Sequence, residues 1–263
     1  MKMRYIIREI RHYLKQPAFW LSVGIVLFCF CFEHRDYFSI YLRGELLYHL
    51  DVFYLFVTPF EYGLFFYLVP LAAIPAASLS VIDELKSGHA RLKLYRSSRR
   101  GYIARRIASI SIGSMLPMLM GCLLFLGFTM LIDPLSGESG NALKQSSGAL
   151  LRPLAASYSG LPYIFFVIGQ ATLAAWLWGM IGTFLALTSL NKGTTLLNGF
   201  LLFWGCDCLC SYLHWDVWRP FLLFFTSLTS TEPIWTPWLR SILLLAMTIG
   251  ADVLMMNKRY RRL

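Results

Sequence analysis

The feature that most constrains this chain is the alternation of long apolar runs with short charged segments. An apolar run of about 20 residues is long enough to cross a bilayer as an α-helix, and in lipid a helix satisfies its own backbone hydrogen bonds. Hydrophobic residues make up 57% of the chain and charged residues 14%, which is typical of a polytopic membrane protein. We therefore predict an all-α integral membrane protein in which residues 1–263 form a single transmembrane domain with six spans. These spans cover about residues 17–34, 62–82, 103–132, 161–190, 194–213 and 237–256.

A strongly basic segment separates the second and third predicted spans. It runs from Ile82 to Arg106 and holds eight of the chain's 24 Lys and Arg residues. Short loops with this much positive charge remain on the cytoplasmic side of a membrane. We therefore place this basic segment in the cytoplasm.

The remaining charge supports the same topology. The amino-terminal segment holds five Lys and Arg residues, the basic segment eight, the turn at Lys192 one and the carboxyl terminus four, so 18 of the 24 lie on the predicted inner side. This asymmetry predicts a multi-pass protein of the cell membrane with both termini in the cytoplasm. Attraction to anionic membrane lipids accounts for the net charge of +10, and nucleic-acid binding is not needed to explain it.

Residues 1–16 have the pattern of an amphipathic helix. Their basic residues recur at steps of four, three and four, opposite an apolar face. Such a helix lies in the inner headgroup layer. The alternative is a secretory signal peptide, which we reject because no small-x-small cleavage site precedes Glu33 and the basic region is long and regular.

The basic segment has an internal pattern of its own. Leu85, Leu92 and Tyr95 form a narrow apolar stripe, and Gly88 offers a place for the chain to bend. This pattern predicts a short helix that lies across the membrane face and docks on a cytoplasmic partner. The alternative is a solvated basic loop that only sets the topology.

The order of residue types resembles a known family. An acidic residue (Asp83 or Glu84) is followed by Gly88, a leucine-rich step at Leu92, and a Tyr-Ile pair that opens the next span. This is similar to the segment between spans two and three of ABC-2 type permeases, the membrane subunits of one class of ATP-driven exporters.

The resemblance implies a fold, partners and site residues. In that family the segment is the coupling helix that sits on the ATPase subunit, and an amphipathic elbow helix precedes span one. It implies a second permease, identical or related, and separate cytoplasmic ATPase subunits that bind ATP and magnesium. The cargo would be amphipathic, such as a peptide, an antibiotic or a lipid. The implied ATPase-coupling residues are Asp83, Glu84, Gly88, Leu92, Tyr95 and Arg99.

This chain departs from the family pattern at two positions. His89 stands where Thr is common after the glycine, and Ser98 stands where Pro often precedes the Arg.

The sequence offers little for catalysis or metal binding. It contains neither the GxxxxGK[ST] phosphate loop nor an HExxH zinc motif, so we expect no enzymatic activity and no cofactor in this chain. The cysteines at 206, 208 and 210 lack CxxC spacing and a paired histidine, which favours buried thiols over a metal site.

Four polar side chains within or beside the spans are candidates for special roles. Asp207, Gln170 and Glu61 are candidates for the substrate path, because polar groups in spans face protein or water. A buried structural hydrogen-bond acceptor is the alternative for Asp207. Asp252 lies close to Asn257 and Lys258, which favours ion pairing at the membrane surface.

A different class of function also fits the sequence. In this alternative, the chain is a polytopic membrane protein unrelated to ABC transport, such as a secondary carrier, a sensor subunit or an immunity subunit. A secondary carrier often contains an inverted repeat between its halves. We find no convincing repeat in this sequence.

Overall fold

A computed structural model gives the fold. It describes residues 3–44, 50–61, 65–95, 98–133, 141, 144, 152–156, 160–215, 218–220 and 235–261. The regular structure in these ranges is helical and contains no β-strand, which confirms the all-α prediction.

The helices follow the chain in the order of the predicted spans. Their bounds are α1 Met3–Leu14, α2 Pro17–Glu33, α3 Arg35–Arg43, α4 Val52–Glu61, α5 Phe65–Lys86, α6 His89–Tyr95, α7 Arg99–Ile132, α8 Arg152–Ala156, α9 Leu161–Ser189, α10 Lys192–Tyr212 and α11 Trp235–Tyr260.

Five helices are long and apolar enough to cross a membrane, namely α5, α7, α9, α10 and α11. They correspond to predicted spans two to six, although residues 62–64 of span two lie outside the described ranges. Predicted span one, residues 17–34, corresponds to α2, and beyond it the chain bends by 75° into α3. His34 forms this bend, and its ring Nε2 lies 2.8 Å from the carbonyl oxygen of Leu55. The described residues thus contain five candidate spans, or six if the bent pair counts as one.

Close packing at the centre depends on small residues of α9. A Cβ atom added at Gly179 would lie only 2.3 Å from the Cβ of Ser114 on α7. At Gly182 an added Cβ would lie 2.6 Å from the hydroxyl of Ser78 on α5. Glycine at these positions lets three helices approach each other closely, as small residues commonly do in membranes.

Helix α4 packs within the bundle. Residues 52–60 are rich in aromatic side chains, which in membrane proteins are enriched at the headgroup level. However, Phe53, Phe56 and Phe60 are fully buried. Phe56 packs against Phe30 of α2, which stacks on Phe125 of α7 with ring centroids 4.2 Å apart. Burial of apolar rings against other helices therefore outweighs their preference for the headgroup level.

The basic segments of the chain meet at one end of the bundle, which we call the basic end. The Tyr13 hydroxyl of α1 lies 3.2 Å from the Ser109 hydroxyl, near the start of α7. Lys192, at the start of α10, pairs with Asp83 near the end of α5. The carboxyl end of α11 also reaches this region. Phe125, which packs with Phe30 and Phe56 in an aromatic cluster, lies further along α7. At a rise of about 1.5 Å per residue it is about 39 Å from Arg99, so the aromatic cluster lies toward the opposite end of the bundle.

Residues 1–16 contain the predicted helix, α1, which docks on α7. Tyr13 is 1% exposed, and its ring lies directly over Gly113. A Cβ at Gly113 would come within 2.5 Å of the Tyr13 ring. Glycine at this position is therefore what allows the tyrosine to be buried.

Candidate functional site at the basic end

A sharp bend at Gly88 separates α5 from the short helix α6. Gly88 has φ +73°, in the left-handed region that glycine adopts without steric cost. Nothing lies within 4 Å of the position that a Cβ would take there, so backbone conformation alone favours glycine. The predicted bend and the predicted short helix are both present at this point.

A buried ion-pair cluster holds α6 in place. Glu84, in the last turn of α5, is 7% exposed. Its Oε1 accepts a hydrogen bond of 2.5 Å from Lys93 on α6, and its Oε2 lies 3.2 Å from Nε of Arg106 on α7. Arg106 also donates to the Ser80 hydroxyl at 3.0 Å. Two cations from different helices thus neutralise one buried carboxylate, as burial of a charge requires.

Two further contacts tie this cluster to the neighbouring spans. The ring of Tyr102 on α7 meets the ring of Tyr260 on α11 edge to face, with centroids 5.2 Å apart. Asp83 on α5 pairs with Lys192 of α10 at 2.7 Å, and both side chains are at least half exposed.

Ser98 begins α7 by accepting a hydrogen bond from the Gly101 amide. Ser98 therefore caps the amino terminus of α7.

The predicted apolar stripe divides into a buried and an exposed part. Leu85, together with Leu94 of α6, packs against the core of the bundle. Leu92 is 61% exposed and Tyr95 is 89% exposed. Helix α6 therefore uses one side to attach to the bundle and presents two large apolar side chains outward.

A cleft lies beside this exposed face. It has a volume of about 350 Å³ and opens where α6, the start of α7 and the end of α11 meet. Its lining residues are Arg91, Leu94, Tyr95, Arg99 and Tyr260.

The three residues predicted for the substrate path have separate surroundings. Asp207 forms an ion pair with Arg219 at 2.9 Å, and Glu61 accepts a hydrogen bond from the Tyr163 hydroxyl at 3.2 Å. Gln170 is buried between α9 and α11, beside Trp238 and Ser241, in a crevice too narrow to hold a water molecule. The pairing of Asp207 matches the expectation that its carboxylate faces protein.

Asp252 differs from the sequence-based expectation. We expected pairing at the membrane surface with Asn257 or Lys258, but Asp252 is fully buried. Neither carboxylate oxygen has a hydrogen-bond partner among the described residues. The reason is helix phase, since Asp252 lies on the same side of α11 as the buried residues Leu245 and Met256.

Sequence reasoning did not single out Arg106, Lys93, Lys192 and Tyr260, although all four hold the basic end together. Their residue types were visible, but the eight cations of the basic segment look equivalent until the fold selects partners for Glu84. Across the described ranges, no three His, Cys, Asp or Glu side chains are grouped so as to hold a metal ion.

The chain was compared with protein-family models, curated proteins and solved structures, and nothing matches it.

Proposed function

We propose that this chain is the permease subunit of an ABC-2 type exporter and that α6 is its coupling helix. The observation that carries the proposal is the arrangement of α6, which is clamped to the bundle through Glu84 and presents Leu92 and Tyr95 outward. An exposed apolar pair on a rigid support suits a protein contact, since large exposed apolar groups often mark binding surfaces. A loop that only sets topology requires positive charge, but it does not require a helix that is fixed to the bundle through Glu84.

The ion-pair cluster suggests how motion would pass from a partner to the spans. A force on α6 reaches α5 and α7 through Glu84, because that carboxylate binds cations on α6 and α7 at once. The Tyr102 and Tyr260 contact extends the connection to α11. Glu84 would then act by holding the coupling helix, while Leu92 and Tyr95 would touch the ATPase.

The test is association with an ATPase after substitution of the exposed pair. Leu92→Asp and Tyr95→Asp place a charge in a contact that excludes water. We expect both variants to reach wild-type abundance in the membrane and to lose export. The purified variants should carry no associated ATPase activity. Lys86→Gln is the matched control, because Lys86 is exposed on the same segment but lies outside the apolar pair. Normal ATPase association and export by both aspartate variants would refute the proposed role of α6.

The proposed orientation places the basic end in the cytoplasm of a cell-membrane protein. On a background without native cysteines, an external thiol reagent should label Trp215→Cys and leave Ser97→Cys unlabelled. Labelling of Ser97→Cys in sealed cells would reverse the orientation and remove the ATPase contact.

For the cargo we propose an amphipathic molecule such as a peptide, antibiotic or lipid, carried by two permease subunits. Among the path candidates, we choose Gln170 for the test because it is buried between two candidate spans, α9 and α11. Gln170→Leu should lower export while leaving the cargo-independent ATPase rate unchanged.

Export that continues in purified vesicles without any ATPase subunit would favour a secondary carrier.

A further inference from the structure

The cleft at the basic end is lined by both apolar and cationic side chains. Its walls include the apolar side chain of Leu94 and the rings of Tyr95 and Tyr260. Arg91 and Arg99 also line the cleft, and we call them the rim cations. An occupant must therefore combine negative charge with an apolar body.

The positive charge of the cleft is not compensated within the described part of the chain. Arg91 and Arg99 are exposed, and neither forms an ion pair with a described carboxylate. The nearby acids are already engaged, Glu84 with Lys93 and Arg106, and Asp83 with Lys192. Guanidinium groups bind phosphate well because their planar N–H donors match its oxygens in pairs.

The position of the cleft along the spans indicates a membrane lipid. The apolar helix α7 begins at Arg99, and the apolar helix α11 ends at Tyr260, so both lining residues mark the limit of a candidate span. Lipid headgroups lie at that level, where tyrosine is enriched and where basic pockets between spans bind anionic headgroups.

We infer that this cleft binds an anionic phospholipid of the leaflet at the basic end. Arg91 and Arg99 contact its phosphate, and Leu94 and Tyr260 contact its glycerol and the upper part of an acyl chain. A lipid in the cleft touches α6, α7 and α11 together and so stabilises the position of α6. The inference does not rest on the proposed transport function, because it concerns this chain and its membrane alone.

The experiment measures lipid retention by the purified full-length chain. The chain is exchanged into detergent, supplied with phosphatidylglycerol or phosphatidylcholine, and examined by native mass spectrometry. We expect one tightly held phosphatidylglycerol per chain and weaker retention of phosphatidylcholine. Equal retention of both lipids overturns the inference.

Paired variants of equal charge separate a defined site from general basicity. Arg91→Gln with Arg99→Gln removes the rim cations, and Lys86→Gln with Arg100→Gln removes two other exposed cations of the same segment. Loss of charged hydrogen bonds should lower phosphatidylglycerol affinity by at least about tenfold in the first pair, with a change below about twofold in the second. Equal losses in the two pairs show attraction to the whole basic surface and refute a defined site.

Two further arms identify the source of the phosphate and the class of the occupant. Glycerol phosphate at the concentration of the lipid should fail to displace it, because the free anion lacks the apolar body. Displacement by glycerol phosphate would show a site for a soluble anion and overturn the lipid assignment. The Arg91→Gln, Arg99→Gln variant could instead bind phosphatidylglycerol as well as wild type does and lose a protein that copurifies with wild type. That result would assign the cleft to a protein partner and refute the inference.

Discussion

Replacement of Glu84 by Gln should destabilise the protein strongly. Glu84 and Arg106 have side chains that are only 7% and 12% exposed, so neither can recover its hydration when the other is removed. Breaking a buried ion pair in this way costs about 3–5 kcal/mol, because the remaining charge stays buried without its counter-charge. Arg106 keeps its hydrogen bond to Ser80, which places the expected cost toward the lower end of this range.

The exposed pair Asp83 and Lys192 provides the matched control. Their side chains are 59% and 50% exposed, and solvent-exposed ion pairs contribute about 0–1 kcal/mol. Asp83→Asn should therefore change the free energy of unfolding by less than about 1 kcal/mol. The two substitutions each remove one negative charge from neighbouring positions, so burial is the main difference between them.

A double-mutant cycle tests whether the cost arises from the pair itself. The free energy of unfolding is measured by SDS titration in mixed micelles for Glu84→Leu, Arg106→Met and the combination. Glu84→Leu should cost about 3–5 kcal/mol, and Arg106→Met should cost less because Lys93 still pairs with Glu84. The combination removes both buried charges and should be less destabilised than the sum of the two single changes. Additive losses would show that the two side chains are not coupled. A cost below about 1 kcal/mol for Glu84→Gln would show that water reaches the cluster, and the argument from burial would fail.

Three further predictions use single substitutions and thermal unfolding in detergent. Gly88→Ala should cost about 1–2 kcal/mol because of its positive φ, whereas Gly127→Ala, which also meets open space but lies within a helix, should cost nothing; equal effects would contradict the backbone argument. Gly113→Val should displace the Tyr13 ring, destabilise the protein by about 1–3 kcal/mol and expose α1 to protease, and unchanged protease protection would contradict this packing. Asp252→Leu should raise stability by about 1–3 kcal/mol, since it removes buried oxygens without described partners, and a marked loss of stability would show that Asp252 has a partner in the membrane.

Much of the helical framework could be read from the sequence because it depends on local chemistry. In lipid, a single apolar segment can satisfy its backbone hydrogen bonds only by forming an α-helix. Predicted spans two to six accordingly correspond to helices whose ends are shifted by a few residues. The bend at Gly88 was equally local, because glycine has the lowest cost at positive φ. The bounds of predicted span one match α2, but the bend that follows could not be read from the sequence, since His34 there contacts Leu55 of a later helix.

The candidate site shows where the sequence stops being sufficient. Composition and spacing by themselves determined that a basic segment with an apolar stripe separates two spans, because charge and hydrophobicity are properties of each residue. Only the tertiary structure decided that Glu84 is buried, that Lys93 and Arg106 neutralise it, and that Leu92 and Tyr95 remain outside. These outcomes depend on how α6 folds back against α5 and α7. Burial and pairing are properties of a three-dimensional neighbourhood, and several cations of the same segment could have filled the same role until packing excluded the others.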